Sequence, residues 1–314
     1  MAKPLPLRHL IWQERRRGVA EAPPGALTES MQSLLVIIVL LGVTPAVLGL
    51  VRSDGQRQAS LLPTTSSWLL YALAFNLMFF WQELWLVIPK AVTPGLSPVL
   101  FHNNHTWDGD APIAELLQAA GAVGTAFGGL VSLLLLVRVD EGRPTWRLFL
   151  FWMAFQGLFQ SLSQVAIGCV IPGNDVGRAL AYLQLPDWAR WGLLTSTAVA
   201  MAASGVALAR LSPFGLAKRA RIGSRPFAIM LLSTALLSLP LIALFRVPRS
   251  VIEVAVIPGV VGLLGTAWLI LGASFIPAAH PLGREGIPRA GVPAIALIVL
   301  LLVFQLLLRP GVRF

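Results

Sequence analysis

Residues 76–112 read NLMFFWQELWLVIPKAVTPGLSPVLFHNNHTWDGDAP, and this stretch decides both the class of the protein and the place of its polar site. Residues 77–89 are apolar except for Gln82 and Glu83, and they have the character of a helix that crosses a bilayer. A break rich in proline and glycine follows. The second half then concentrates two histidines, two asparagines and two aspartates, which makes it the densest chemical cluster in the chain.

The composition of the whole chain is typical of an integral membrane protein. Of its 314 residues, 56% are hydrophobic and 12% are charged, whereas a soluble domain has about a quarter of its residues charged. The net charge is +10, but the arginines lie in short loops between apolar segments and form no continuous basic face. We therefore expect contact with the lipid bilayer and its anionic headgroups, and no nucleic-acid partner.

Eight apolar segments each approach the roughly 20 residues that are needed to cross the hydrocarbon layer. Because backbone groups in lipid must be satisfied within a segment, a helical bundle is the expected solution. We predict an all-α polytopic bundle of eight transmembrane helices in one domain over residues 31–314. Residues 1–30 form a polar, basic tail, either a short interfacial helix or a disordered arm. The segments are 32–51, 67–89, 112–137, 146–171, 188–210, 226–246, 251–276 and 290–308.

The basic residues also suggest where the protein resides. They are almost all arginine, and this bias, together with frequent alanine, glycine, leucine and proline, suggests a GC-rich bacterial genome. We predict a multi-pass protein of the bacterial cytoplasmic (inner) membrane. When basic residues are counted in the loops, the face opposite the polar cluster is favoured as cytoplasmic. The polar cluster is therefore expected on the exoplasmic face.

Glu83 is the sharpest single candidate for a functional residue. An ionisable group inside the membrane is costly and usually faces the bundle interior. We expect Glu83 to act as an acid or base, or alternatively to be a carboxyl hydrogen-bonded to a neighbouring glutamine. The glutamines of the fourth segment either line a polar cavity or join helices. The residues expected to line such a cavity are Asn76, Gln156, Gln160, Gln164, Asp175 and Glu253.

His102, His105 and Asp108 recur at every third residue, so one helical turn would place all three on the same side. Two imidazoles and a carboxylate form a ligand set that zinc, iron or manganese accepts, with a position left open for water. This spacing predicts a divalent metal site. The alternatives are contact with another ligand and a purely structural loop.

Three functions fit these patterns. The favoured interpretation is a non-catalytic accessory or scaffold subunit of a larger membrane complex, with protein partners in the membrane. The first alternative is a membrane-embedded, metal-assisted hydrolase, in which a metal held by the histidine–aspartate cluster activates water. The second is a proton-coupled transporter that uses Glu83 and the glutamines of the fourth segment.

Overall fold

The computed structural model describes residues 35–36, 38–53, 64–140, 142–213, 225–276 and 289–314. Six of the described helices are long and apolar enough to cross a membrane, or up to seven if one bent pair counts as a single span. The all-α membrane class is thereby confirmed. The count of eight spans stays a prediction, as does the single domain, and the predicted tail over residues 1–30 lies outside the described residues.

The described chain has nine helices and one small sheet. α4 and α5 form the bent pair, with an angle of 53° at the break, and α1 is shorter than a full span. The helices are α1 (Val39–Arg52), α2 (Thr65–Ala91), α3 (Ile113–Arg138), α4 (Pro144–Val170), α5 (Asp175–Tyr182), α6 (Asp187–Arg210), α7 (Arg225–Arg246), α8 (Ile252–Ser274) and α9 (Gly291–Leu308). The strands are β1 (Ser97–Leu100), β2 (His105–Asp108) and β3 (Val312–Arg313).

Glycines permit close contacts between α3 and its neighbours. Gly121 and Gly124 of α3 lie under Leu86 and Trp85 of α2, where a Cβ would overlap those side chains. Gly129 of α3 meets Gly157 of α4 backbone to backbone, so neither position has room for a side chain. Because lipid supplies no hydrophobic drive between helices, such close packing is a main source of their association.

Buried aromatic rings fill the centre of the bundle between α2 and α4. Tyr71 packs edge-on against Trp152 with ring centroids 4.9 Å apart, and Trp152 in turn packs edge-on against Phe155. Phe159 continues the stack one helical turn further along α4. This rigid core positions the polar side chains of α2 and α4 that lie closer to the site.

A three-stranded antiparallel sheet, in the order β2-β1-β3, is the one feature of the described fold that lies outside the all-α prediction. Leu100 pairs with His105 across the hairpin, and Val99 pairs with Arg313 near the carboxyl end of the chain. Gly109, with φ +115°, lies so close to the Gly95 carbonyl that a Cβ would overlap it. The hairpin therefore depends on glycine at this position.

Candidate functional site

A polar cavity of about 440 Å³ lies where α2, α4 and α7 end and where α8 begins. Its volume falls within the roughly 300–1,000 Å³ that is usual for small-molecule sites. Phe75, Phe79, Trp107, Ile257 and Val261 supply its apolar walls. Its polar lining consists of Gln82, Glu83, Asn103, Asn104, His105, Gln118, Gln160, Gln164, Asn174, Asp175, Arg178, Arg246, Arg249 and Glu253.

A carboxylate–imidazole pair lies in the wall of this cavity. His105 Nδ1 and Glu83 Oε2 are 2.9 Å apart, and both side chains are more than nine-tenths buried. Glu83 comes from α2 and His105 from β2, so the pair joins the hairpin to the bundle. With the imidazole proton on Nδ1, that N–H donates to the carboxylate and Nε2 is left as an acceptor.

Lys90 is fully buried behind this pair, with 0% of its surface exposed. Its Nζ donates to the Leu86 carbonyl at 2.9 Å and to Gln118 Oε1 at 3.2 Å, and it lies 3.4 Å from His105 Nε2. A buried ammonium is tolerated only with such partners. Lys90 follows Glu83 by seven residues, or two helical turns, so its positive charge lies on the same face of α2 as the carboxylate.

Trp107 and Arg178 cover the cluster from the side of the hairpin. Trp107 is stacked on His105 with centroids 5.7 Å apart, and the Nζ of Lys90 lies 4.8 Å from the Trp107 ring centroid. Arg178 of α5 lies 5.1 Å from the same ring and forms a bidentate pair with Glu115 of α3, with both distances 2.6 Å. This pair holds α5 against α3 at the edge of the cavity.

The glutamines of α4 form the opposite wall. Gln164 Nε2 donates to Gln82 Oε1 at 2.8 Å, and Gln160 Nε2 donates to Gln156 Oε1 at 3.1 Å. Gln160 and Gln164 line the cavity and at the same time link polar groups within the bundle. Lining a polar cavity and joining helices, which were expected as alternatives, are therefore combined in these glutamines.

At the start of α8, the Glu253 carbonyl is free to accept a hydrogen bond from a side chain, and the sequence shows why. Residues Ile252–Val256 form a π-helical turn, in which the Ile257 N–H donates to the Ile252 carbonyl. In the same π-type pattern, the Glu253 carbonyl would accept from the N–H of residue 258. That residue is Pro258, which has no N–H. The Glu253 carbonyl instead accepts a hydrogen bond from Arg246 Nη1 at 2.9 Å.

The turn of the hairpin, Phe101–Asn104, inserts into the bundle. Asn103 Nδ2 donates to the Arg246 carbonyl at 3.3 Å, and Arg249 Nε donates to Asn103 Oδ1 at 3.2 Å. His102 is buried beside it, near the end of α7. Burial, and then the positive charge of Arg249, hold the pKa of His102 below its usual value.

The structure brings together Glu83, His105, Gln160, Gln164, Asp175 and Glu253 of the predicted site residues. Asn76 and Gln156 do not line the cavity. Asn76 Nδ2 donates to the Ala72 carbonyl of its own helix, and Gln156 lies one helical turn too deep to reach the space. The catalytic role predicted for Glu83 stays a prediction.

The predicted metal ligands do not converge, because His105–Asp108 is a strand and not a helical turn. Side chains alternate along a strand, so Asp108 points away from His105 and is exposed. His102 lies in the hairpin turn and also does not line the cavity. Among the residues that the structure describes, no group of three or more histidine, cysteine, aspartate or glutamate side chains is placed to hold a metal ion.

Sequence reasoning missed Lys90 and Gln118. The second segment was predicted to end at position 89, which placed Lys90 in a loop, but α2 continues through Pro89 to Ala91. The seven-residue spacing from Glu83 was the signal that could have identified it. Gln118, an isolated amide in an apolar segment, was a second such signal.

Comparisons with known proteins give no further assignment. The chain was compared with protein-family models, with curated proteins and with solved structures, and none of the three comparisons found a match.

Proposed function

We propose that the protein is a membrane-embedded enzyme that carries out general acid–base chemistry on a small polar group in the cavity, with Glu83 as the proton acceptor. The observation that carries this proposal is the 2.9 Å hydrogen bond between Glu83 and His105 in the cavity wall. A hydrogen-bonded carboxylate–imidazole pair, in which one group orients the other, is a common arrangement in acid–base sites.

The geometry supports a division of roles. His105 donates to Glu83 Oε2 and so orients the carboxylate, which leaves Oε1 for a water molecule or a ligand hydroxyl. In the proposed reaction, the proton of that water or hydroxyl passes to Glu83. Lys90 offsets the negative charge of the carboxylate before the transfer, and the arginines of the cavity stabilise negative charge on the reacting group.

The metal-assisted form of this hypothesis is not adopted, because its three predicted ligands do not meet. The variant Asp108→Asn distinguishes a reaction centred on Glu83 from a metal-assisted reaction. An exposed residue outside the cavity should be dispensable for a Glu83-centred reaction, whereas a ligand of a catalytic metal should not be.

The experiment compares wild-type protein, Glu83→Gln and Asp108→Asn in nanodiscs that contain a bacterial lipid extract, with lipids and released products followed by mass spectrometry. We expect turnover by the wild type and by Asp108→Asn. Loss of a general base should lower the rate in Glu83→Gln by roughly 10²–10⁴-fold. Equal turnover by Glu83→Gln and the wild type would contradict the proposal.

Proton-coupled transport is a second candidate, favoured by the glutamines of α4. Gln164 and Gln160 line the cavity, and Gln156 continues the polar stripe one turn deeper. A carrier would show proton-dependent uptake into vesicles that is lost in Glu83→Gln. The accessory-subunit hypothesis predicts a different result, namely stoichiometric copurification of partners with both the wild type and Glu83→Gln.

A further inference from the structure

Arg246 differs from the other two arginines of the cavity, because no carboxylate of the described residues lies within ion-pair distance of it. Glu83 is paired with His105, Arg178 with Glu115, and Arg249 lies 3.9 Å from the Glu253 carboxylate. The guanidinium of Arg246 bonds through Nη1 to a backbone carbonyl, which carries only a partial charge.

One edge of the Arg246 guanidinium is left available. Arg246 is only 7% exposed, and its Nε is buried with no hydrogen-bond partner among the described residues. Because Nη1 is used by Glu253, the remaining edge is the one formed by Nε and Nη2. Arg178 uses this same pair of atoms to hold both oxygens of Glu115, so the protein itself shows what that edge binds.

The surroundings keep this edge in place. The Phe79 ring lies 4.1 Å from the Arg246 guanidinium carbon and covers a face of the group, so that ligands approach along its edge. Arg249 lines the cavity three residues further along the chain and is held by Asn103. Both arginines therefore line the cavity, and Asn103 connects them by bonding to the Arg246 carbonyl and to Arg249 Nε.

An apolar wall adjoins this region. Ile257 and Val261 of α8 line the cavity one and two turns below Glu253. Ile257 is 48% exposed, so an apolar chain bound along this wall would cover it. A ligand with a charged head and an apolar chain matches both features.

We propose that the cavity binds a phosphate ester, with the phosphate held by the Nε–Nη2 edge of Arg246 and by Arg249. Phosphate suits the planar fork of arginine, and it is the charged group of membrane lipid headgroups. The proposal rests on the proposed function for the identity of the site, but it concerns binding alone. Free phosphate esters share this chemistry, so the test separates the two sources.

The test measures binding to purified protein in detergent by thermal shift and by native mass spectrometry. The probes are dihexanoyl phosphatidic acid, dihexanoylglycerol with the same chains but no phosphate, and glycerol 3-phosphate. We expect the phosphatidic acid to bind and the diacylglycerol not to bind. Binding of glycerol 3-phosphate with equal affinity would assign the site to soluble phosphate esters, and no binding of either phosphate compound would overturn the proposal.

Variants identify the site. Arg246→Lys keeps the charge and removes the fork, and we expect it to raise the Kd for phosphatidic acid about tenfold, because one hydrogen bond to the charged phosphate is lost. Arg249→Gln, at a more exposed position, should also weaken binding, and Arg313→Gln serves as the control. Unchanged affinity in both Arg246→Lys and Arg249→Gln would overturn the proposal.

Glu83→Gln separates this proposal from the proposed function. We expect it to bind phosphatidic acid at least as tightly as the wild type does, because Glu83 is not a phosphate ligand and its negative charge acts on Arg246. If phosphatidic acid binds, but the wild type and Glu83→Gln show equal turnover, only the acid–base role is refuted. If turnover depends on Glu83, but neither phosphate compound binds, only the assignment of a phosphate ester as the ligand is refuted.

Discussion

At the scale of single residues, the site depends on charges that are buried together. Glu83, His105 and Gln118 of the cavity wall form one connected group with Lys90, which lies behind the wall. In such a group the partners cannot be exchanged one at a time, because removal of one charge leaves another buried without compensation. The stability of the variants should therefore show strong coupling between these positions.

Replacement of Lys90 by methionine tests this coupling. We expect Lys90→Met to lower the free energy of unfolding by about 3–5 kcal/mol, since the Glu83 carboxylate would lose its buried cation. The double variant Lys90→Met/Glu83→Gln should be more stable than Lys90→Met alone. Thermal unfolding in detergent provides the measurement. Additive effects of the two exchanges would show that the charges are not coupled.

His102 should give the protein a defined sensitivity to acid. Its pKa is lowered in the folded protein, so the unfolded chain binds its proton first as the pH falls. Stability is then complete above the ordinary pKa of 6.5 and decreases as the pH falls through that value towards the folded pKa. In thermal unfolding from pH 8 to pH 5, the loss of stability should be smaller in His102→Phe. An identical pH profile in that variant would contradict the assignment.

At the scale of helices and strands, the α3–α4 contact determines where the glutamine wall lies. Gly157 precedes Gln160 by less than one turn, and its α-carbon faces the backbone of Gly129. The distance between these helices is therefore set by the absence of two side chains. A wider spacing would move Gln160 relative to α2, and with it one wall of the cavity.

A matched pair of glycine exchanges tests this contact. Gly157→Ala should destabilise the protein by about 1–3 kcal/mol, because its Cβ would overlap the backbone of Gly129. Gly192 of α6 faces open space, with no neighbouring atom within 4 Å of where a Cβ would lie, so Gly192→Ala should leave the thermal midpoint unchanged or raise it. A midpoint for Gly157→Ala equal to that of Gly192→Ala would show that the two helices can separate without cost.

At the scale of the whole molecule, exposed tryptophans mark both ends of the bundle. Trp146 is 57% exposed at the start of α4, and Trp188 and Trp191 are 78% and 62% exposed at the start of α6. The start of α4 lies at the end of the bundle away from the cavity, and α6 starts at the cavity end. Tryptophan is enriched at both membrane interfaces, so this distribution supports a bilayer between the two levels.

Two glycines in open positions allow the orientation to be measured. In a Cys169→Ser background, a membrane-impermeant maleimide should label Gly173→Cys in intact cells and Gly142→Cys only after permeabilisation. The first position follows α4 at the cavity end, and the second precedes α4 at the opposite end. The reverse pattern would refute the exoplasmic prediction, and labelling of both from one side would refute α4 as a span.

The sequence was sufficient for the class of fold and for much of the cavity, because hydrophobic segments and helix direction determine which polar residues lie at one end of a bundle. Glu83, Gln164, Asp175 and Glu253 meet for this reason. The hairpin was missed because its strands are only four residues long and carry no sustained alternation. That error alone placed Asp108 beside His105 and produced the predicted metal site.

The third strand of the sheet has a consequence for biosynthesis. β1 and β2 emerge from the ribosome about 200 residues before β3, and at about 5–20 residues per second this interval lasts roughly 10–40 s. During that time one edge of β1 has no partner from β3, while the later helices enter the membrane one after another. The strand β1, on which the His105 strand β2 is paired, thus gains its second partner only after α9 has been made, so the sheet that holds His105 is completed after the helices of the bundle.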